Sequence, residues 1–277
     1  MKGMAQAAVL IPVHNAERFL RECLDSVIGQ TFADFEVIAC DDGSTDGSLV
    51  VLREYAARDP RIRVLVNPEN RGIVATRNRL LSELPDDAGF VAWLDSDDVM
   101  LPDRLARQLD FLNAHPEIGG VGSALEIIDE NSRTIGFRHY PFSSNEIRKT
   151  MFRRNVIAQS SLMLRRDVIR KIGEYSAAYP VCEDYDYWLR VLQKYDFANL
   201  PDPVLKYRMS PDQSKQSRLK CTLRCTLAVQ KKYLFGRNFK IFNLVYFLSE
   251  CLLLLLPSAV VLSLFEKLHY RIGSVNA

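Results

Sequence analysis

The chain contains no Cys-x-x-Cys pair. Its six cysteines, Cys23, Cys40, Cys182, Cys221, Cys225 and Cys251, lie mostly within apolar patterns, which argues against zinc held by paired thiolates. It has only four histidines, His14, His115, His139 and His269, and no two share a metal-ligand spacing; His115 before Pro116 reads as a helix end. Charged and apolar residues alternate from the N-terminus, so no secretory signal is visible, and a reducing cytoplasm is the natural compartment. There is no internal repeat and no low-complexity tract. The segment after the first apolar run, Ile11 to Asn15, lacks the Gly-rich, Lys/Arg-containing signature expected of a nucleotidyltransferase. Between Gln213 and Ser249 there is neither Asp nor Glu.

What is present describes a globular chain. Its 277 residues suffice for one large domain, or a domain with an appendage. Hydrophobic residues make up 48% and charged residues 25%, enough apolar material for a sizeable core. The net charge of +2 is unevenly placed: residues 213–277 hold ten Lys/Arg and two Asp/Glu, leaving −6 for residues 1–212. We therefore expect an acidic body over 1–212 and a basic, partly apolar helical tail over 213–277 that meets an anionic surface.

Periodicity organises the body. Apolar runs predict strands at Ala7–Pro12, Phe35–Cys40, Ile62–Val66, Phe90–Leu94 and Gly120–Ile128. Helical spacing predicts helices at Glu17–Ile28, Gly47–Arg58, Ile73–Glu83 and Pro102–His115. Such alternation implies an α/β fold with a mostly parallel sheet covered on both faces. Beyond residue 140 the pattern weakens to a short strand at Ser161–Leu164 and helices at Asp167–Ile172, Tyr185–Tyr195 and Pro211–Phe235. Tyr187 and Trp188 share helical spacing with Val191 and Leu192, so they are expected in the core.

Two acidic clusters close two of the predicted strands, Asp41-Asp42-Gly43-Ser44-Thr45-Asp46 and Leu94-Asp95-Ser96-Asp97-Asp98. Ligands in open α/β sheets bind beyond the carboxyl ends of strands, where both clusters fall. Turn formation and helix capping explain either cluster alone. Together they crowd like charges that a divalent cation would offset, and the cation's remaining positions suit a nucleotide diphosphate.

An ordered set of further pieces spans residues 7–214. It comprises Ile11-Pro12-Val13-His14-Asn15, Ser26-Val27-Ile28-Gly29-Gln30-Thr31-Phe32, Asn70-Arg71-Gly72, Arg77-Asn78, Pro102 with Arg104-Leu105, His115-Pro116, Arg165-Arg166, Gly173 and Glu183-Asp184-Tyr185-Asp186-Tyr187-Trp188-Leu189-Arg190. With the two acidic clusters, this order resembles the inverting family-2 glycosyltransferases of the GT-A fold, as found in bacterial surface-polysaccharide synthesis. The resemblance implies that Pro12, Val13 and Asn15 line a nucleotide site. It implies that Asp42, with Asp41 beside it, pairs with the N3–H of a uracil-like base, and that Arg71 and Arg77 lie near the diphosphate. Asp95-Ser96-Asp97 matches the DxD metal motif: Asp97 would meet ribose or metal, and Asp98 the metal directly, as Mn²⁺ or Mg²⁺. Asp184 would be the catalytic base, with Glu183 and Asp186 as local rivals. One departure stands out: where many relatives follow Tyr-Arg with His two residues on, this chain has Tyr207-Arg208-Met209-Ser210. Ser210 and Gln213 would then line the donor site, with one metal ligand fewer. A nucleotidyltransferase and a non-catalytic nucleotide-sugar-binding module are the alternatives.

In the tail, Ile241–Phe265 is twenty-five residues interrupted by Glu250 and kinked by Pro257, flanked by Lys231, Lys232, Arg237 and Lys240 before and by Lys267 and Arg271 after. A central Glu opposes a clean span. The expectation is a segment that enters and returns, or lies in the interface, at the inner face of the cell membrane, which would favour a lipid-linked glycan acceptor over nucleic acid. A helix packed on its own domain or on a homodimer partner is the other reading.

Overall fold

The computed structural model describes residues 6–85, 88–209, 219–235 and 241–254. In chain order the strands are β1 (Ala7–Val13), β2 (Phe35–Asp42), β3 (Ile62–Asn67), β4 (Phe90–Trp93), β5 (Val99–Met100), β6 (Ile118–Ser123), β7 (Leu125–Ile128), β8 (Thr134–Arg138), β9 (Met163–Arg165), β10 (Asp196–Leu200) and β11 (Leu205–Arg208). The helices are α1 (Glu17–Ile28), α2 (Ser48–Arg58), α3 (Ile73–Ser82), α4 (Arg104–Ala114), α5 (Ser144–Met151), α6 (Arg166–Ile172), α7 (Glu183–Val191), α8 (Leu219–Tyr233) and α9 (Ile241–Leu253).

The main sheet runs β10-β6-β9-β4-β1-β2-β3. Its pairs are parallel except at β9, which runs antiparallel to both β4 and β6. β1 is buried at every position, as a central strand covered on both faces must be. Helix α1 forms because Leu20, Cys23, Leu24 and Val27 recur at helical spacing, and these are the residues it buries. Each such fully buried aliphatic side chain is worth about 1.5–3 kcal/mol, so Leu24→Ala is a change the helix would feel. Tyr187 and Trp188 are fully buried, and Tyr187 stacks on Tyr175 with ring centroids 4.2 Å apart, as their spacing predicts.

Two expectations need correction, and one link was not read. The apolar run Gly120–Ile128 is two strands. β6 stays in the main sheet, and the chain changes sheets at Ala124, whose N–H donates to Leu200 O. β7 then joins a second sheet ordered β5-β11-β7-β8. Nothing in an unbroken apolar run marks that crossing. Helix α7 starts at Glu183, two residues before the expected Tyr185, because three acids in its first turn suit the positive end of the helix dipole. Finally, Cys182 and Cys225 are joined across α7 and α8 with Cα atoms 6.3 Å apart, a link that cysteine spacing did not indicate.

The first part of the tail is docked on the body. Lys232 Nζ and the Tyr233 hydroxyl reach Asp186 Oδ1 at 2.8 and 3.1 Å, and Val229 is fully buried. α9 follows, with Ile241, Phe242, Val245, Leu248 and Leu252 exposed while Glu250 is buried. The Glu that interrupts the apolar run therefore faces inward and the apolar residues face out. Among the described residues no helix is long and apolar enough to cross a membrane. Ser210, Gln213 and the run beyond Leu254 lie outside the described residues.

Candidate functional site

The carboxyl ends of β1, β2 and β4 open into one cavity of about 960 Å³. Pro12, Val13, Asp42, Arg71, Arg77, Asp95 and Asp97 line it, together with His14 and Tyr207. Asn15, Asp41, Asp98 and Asp184 do not line it, and each has another place.

Asp42 is buried and holds the loop that faces it. Its Oδ1 accepts from Asn67 Nδ2 (2.6 Å) and the Arg71 N–H (3.0 Å), and its Oδ2 from the Gly72 N–H (2.9 Å). A carboxylate has about four acceptor positions, so one remains for a ligand N–H. Asp41 lies beneath the turn, where its Oδ2 accepts from the Ser44 N–H at 3.2 Å. Gly43 allows the close approach: at φ 64° a Cβ there would fall 2.5 Å from the Asn70 backbone. Asn15, at φ 50°, accepts from the Thr45 N–H at 2.8 Å, so it staples the β1–α1 loop to the acidic turn from outside the cavity. Asp46 is structural, accepting the Ser48 and Glu17 N–H groups at the starts of α2 and α1.

His14, unassigned by sequence, joins three walls. Its Nε2 faces the amide nitrogens of Asn70 (2.9 Å) and Asn15 (3.3 Å), which can only donate, so the proton is assigned to Nδ1, which donates to Asp42 O at 2.9 Å.

The second cluster is graded in depth. Asp95 and Asp97 are half-buried, while Asp98 is 1% exposed. Asp98 Oδ1 accepts the Arg208 N–H at 2.9 Å, and its Oδ2 has no hydrogen-bond partner among the described residues. Burial, and then repulsion from Asp97 and Asp95, pushes the Asp98 carboxyl far above the usual range. An orphaned buried carboxylate oxygen beside two further carboxylates fits a hard divalent cation. Among the described residues no three His, Cys, Asp or Glu side chains converge as a complete metal site, so a bound cation would draw its other donors from phosphate and water.

Two residues behind this cluster carry more than their sequence signal announced. Arg104 is fully buried and donates to Trp93 O (2.8 Å), Ser160 O (2.8 Å) and Gln108 Oε1 (3.0 Å). Burial lowers its pKa to about 9, with Asp98 opposing the shift. Ser160 Oγ in turn accepts the Asp95 N–H at 3.0 Å. An Arg two residues after Pro102 at the start of a helix is ordinary in sequence, and only its neighbours reveal the role.

Arg77 links the two halves of the site. Its guanidinium pairs with Asp95 Oδ1 at 3.2 Å and with Glu183 Oε1, and it lies 5.8 Å from the ring centres of both Trp93 and Tyr175. Burial raises Glu183 to about 7, with Arg77 opposing and Asp184 reinforcing the rise. Arg71, by contrast, is exposed on the cavity wall.

Asp184 is half-buried at the start of α7, outside the cavity. Its Oδ2 accepts from Asn155 Nδ2 at 2.9 Å, and burial raises its pKa against the pull of Arg77. Of its rivals, Asp186 has no exposed side-chain surface and is clamped by Arg190 (3.0 Å) and Lys232 (2.8 Å), so it is a structural anchor. Glu183 is turned toward Arg77.

Comparison with known proteins identifies the family and the fold. O-antigen biosynthesis glycosyltransferase WbnJ of Escherichia coli is 30% identical over 216 residues, covering 76% of this chain and 83% of that protein. Amylovoran biosynthesis glycosyltransferase AmsE of Erwinia amylovora is 27% identical over 264 residues, covering 94% and 98%. Among solved structures, S. aureus TarS 1–349 in complex with UDP-GlcNAc superposes with a TM-score of 0.65 at 19% identity, covering 84% of this chain and 67% of that one. The longer TarS chain is covered over 43% of its length. Mannosyltransferase PcManGT from Pyrobaculum calidifontis, in complex with GDP-Man and Mn²⁺, superposes with a TM-score of 0.60 at 17% identity, covering 96% and 81%. These structures share the GT-A fold seen here. The profile of Glycosyl transferase family 2 matches residues 8–173, and the chain belongs to that family.

Proposed function

We propose that this glycosyltransferase moves a sugar, with inversion, from a UDP-linked donor to a hydroxyl of a lipid-linked glycan during surface-polysaccharide assembly. The observation that carries the reading is the single cavity joining Asp42, Arg71, Asp95 and Asp97, with Arg77 in its lining paired to Glu183, the neighbour of Asp184 at the start of α7. Asp42 would accept the base N–H, Arg71 would meet the diphosphate, and Pro12 and Val13 would wall the nucleotide. A divalent cation, Mn²⁺ or Mg²⁺, held by Asp98 and Asp97 and by donor phosphates, would supply charge stabilisation for the departing diphosphate.

Asp184 acts from the acceptor side. Its carboxylate takes the proton of the acceptor hydroxyl as that oxygen bonds to the anomeric carbon. The bond from that carbon to the diphosphate oxygen breaks, and its electron pair leaves with the nucleotide. One displacement inverts the anomeric centre without a covalent sugar–enzyme intermediate. Arg77 holds Glu183 and Asp95 in register, so the loop carrying the base and the loop carrying the DxD motif stay together.

Polysaccharide synthesis is supported by the similarity to AmsE, an amylovoran biosynthesis glycosyltransferase, and WbnJ, an O-antigen biosynthesis glycosyltransferase. The outward apolar face of α9 supports placement at the inner face of the cell membrane, with a homodimer as the alternative cover. A screen for UDP release over nucleotide sugars, with a GDP-mannose arm and both metals, tests the donor. Turnover of GDP-mannose alone would refute the UDP reading. Removal of residues 238–277 should free the protein from membranes, and unchanged co-sedimentation would refute the membrane placement.

A further inference from the structure

Asn155 lies in the segment between α5 and β9, and that segment is fastened on both sides of it. Phe152 O accepts from the Tyr185 hydroxyl of α7 (2.7 Å) and from Gln230 Nε2 of α8 (3.2 Å). On the other side, Val156 O accepts from Asn199 Nδ2 of β10 (3.1 Å), and Val156 and Ile157 are buried. Asn155 between them is half-buried and donates from Nδ2 to Asp184 Oδ2 at 2.9 Å. The segment is therefore joined to the start of α7 both at Tyr185 and at its neighbour Asp184.

The Asn155 amide is held in one sense. Its Oδ1 accepts the Ile157 N–H at 3.1 Å, so the amide oxygen is turned to the backbone and the NH₂ group to the carboxylate. Asp184 is met on its other oxygen too, since Oδ1 accepts the Tyr185 N–H at 2.7 Å. Each carboxylate oxygen has about two acceptor positions, so one on each remains for a hydroxyl. The titratable groups that face Asp184 are Arg77 on α3, Asp95 after β4, Glu183 beside it on α7, and the Tyr140 phenol ahead of α5. Burial raises the Asp184 carboxyl, and Arg77, the Tyr185 N–H and Asn155 oppose the rise. Arg77 is committed to ion pairs with Asp95 and Glu183, whereas Asn155 touches Asp184 directly.

We propose that Asn155 is the positioning residue of the base: its amide fixes the orientation of the Asp184 carboxylate toward the acceptor hydroxyl and favours the ionised form that can take the proton. This rests on the transfer reading above and adds to it the residue that prepares the base. A hydrogen bond given to a carboxylate favours its charged form and is stronger than one between neutral groups. When the acceptor hydroxyl gives its proton to Asp184, Asn155 stays neutral, because its oxygen is turned away to Ile157 and its NH₂ group only donates. The tethers at Phe152 and Val156 keep the amide in place, so the segment between α5 and β9 sets the orientation of the base together with α7.

The test reads the titration midpoint of the Asp184 carboxyl by carbon NMR of the full chain labelled at aspartate carboxyl carbons; the Asp184 resonance is the one missing from Asp184→Asn. Asn155→Ala removes the donor and should raise the midpoint by about one pH unit, a tenfold change in proton affinity. Asn155→Asp keeps the shape of the side chain but puts a like charge where the donor was, and should raise the midpoint further. The acidic limb of acceptor-dependent UDP release in Mn²⁺ should move up in the same order, with UDP affinity unchanged because Asn155 does not line the cavity. A residue that served only the fold would lower the melting temperature and move neither the midpoint nor the limb. A midpoint that stays at its wild-type value, or falls, in both variants would overturn the proposal. Turnover of Asp184→Asn equal to wild type refutes the transfer reading. An inactive Asp184→Asn, together with an unmoved limb in both Asn155 variants, refutes the role of Asn155 alone.

Discussion

Arg77→Met removes the cation shared by the Asp95 loop and the start of α7. The Arg77 and Glu183 side chains are 6% and 8% exposed, so solvent cannot replace the lost charge, whereas Asp95 at 34% is partly hydrated. Breaking a buried pair from one side costs about 3–5 kcal/mol, because the other charge is left uncompensated. Glu183 can escape part of that cost by taking up a proton, and its pKa already lies at about 7. The sign follows. A carboxyl raised in the folded state is stabilising while protonated, and it loses that contribution as pH rises from its ordinary 4.5 through about 7. Without Arg77 the carboxyl rises further, so the variant should be close to wild type at acidic pH and most destabilised at alkaline pH. Urea unfolding at both ends of that range reads the difference, and Arg77→Met/Glu183→Gln should recover more than half of the loss at alkaline pH. A single variant as stable as wild type at alkaline pH, or a double variant no better than the single, would refute the ion-pair argument.

Further outcomes follow from the same geometry. Excess EDTA should abolish transfer and added Mn²⁺ restore it, with Asp98→Asn weakening Mn²⁺ affinity in calorimetry; full turnover in EDTA would remove the cation from the account. Arg104→Met should leave the Trp93 and Ser160 carbonyls without donors at about 1–3 kcal/mol each, seen as a lower melting temperature, with Arg104→Lys intermediate. Transfer should fall as pH drops through the raised range of the Glu183–Asp184 pair, because the base must be ionised, and Glu183→Gln should move that limb to lower pH by removing a like charge. A pH profile identical in the two proteins would contradict the coupling.

The elements that position the site were largely legible in sequence. Strands β1 to β4 announce themselves as short apolar runs, because a strand covered on both faces is buried nearly throughout, and helices α1 to α4 by the helical spacing of their apolar residues; α1 falls within the residues its apolar spacing predicts. The acidic clusters were legible as strand ends, and the family match sets aside nucleotidyl transfer in favour of glycosyl transfer. What sequence could not give is partnership. Asn15 and Asp41 carry the same side-chain chemistry whether they face a ligand or a turn, and here both hold the turn. Arg77 reads as a helix residue until Glu183, 106 positions away, is placed against it. The sheet crossing at Ala124 leaves no mark because both sides of it are buried. The inward face of Glu250 was hidden for a related reason: hydropathy shows an interruption but not which way the interrupted helix turns.

The central claim is that Asp184 is the base of sugar transfer from a nucleotide donor held in this cavity. It is tested most directly by measuring acceptor-dependent UDP release by wild type and Asp184→Asn in Mn²⁺, alongside UDP affinity. The account predicts UDP affinity within a factor of about two, because Asp184 lies outside the cavity, and turnover lower by about 10²–10⁴, the usual contribution of a positioned base. Turnover in Asp184→Asn equal to wild type would contradict it.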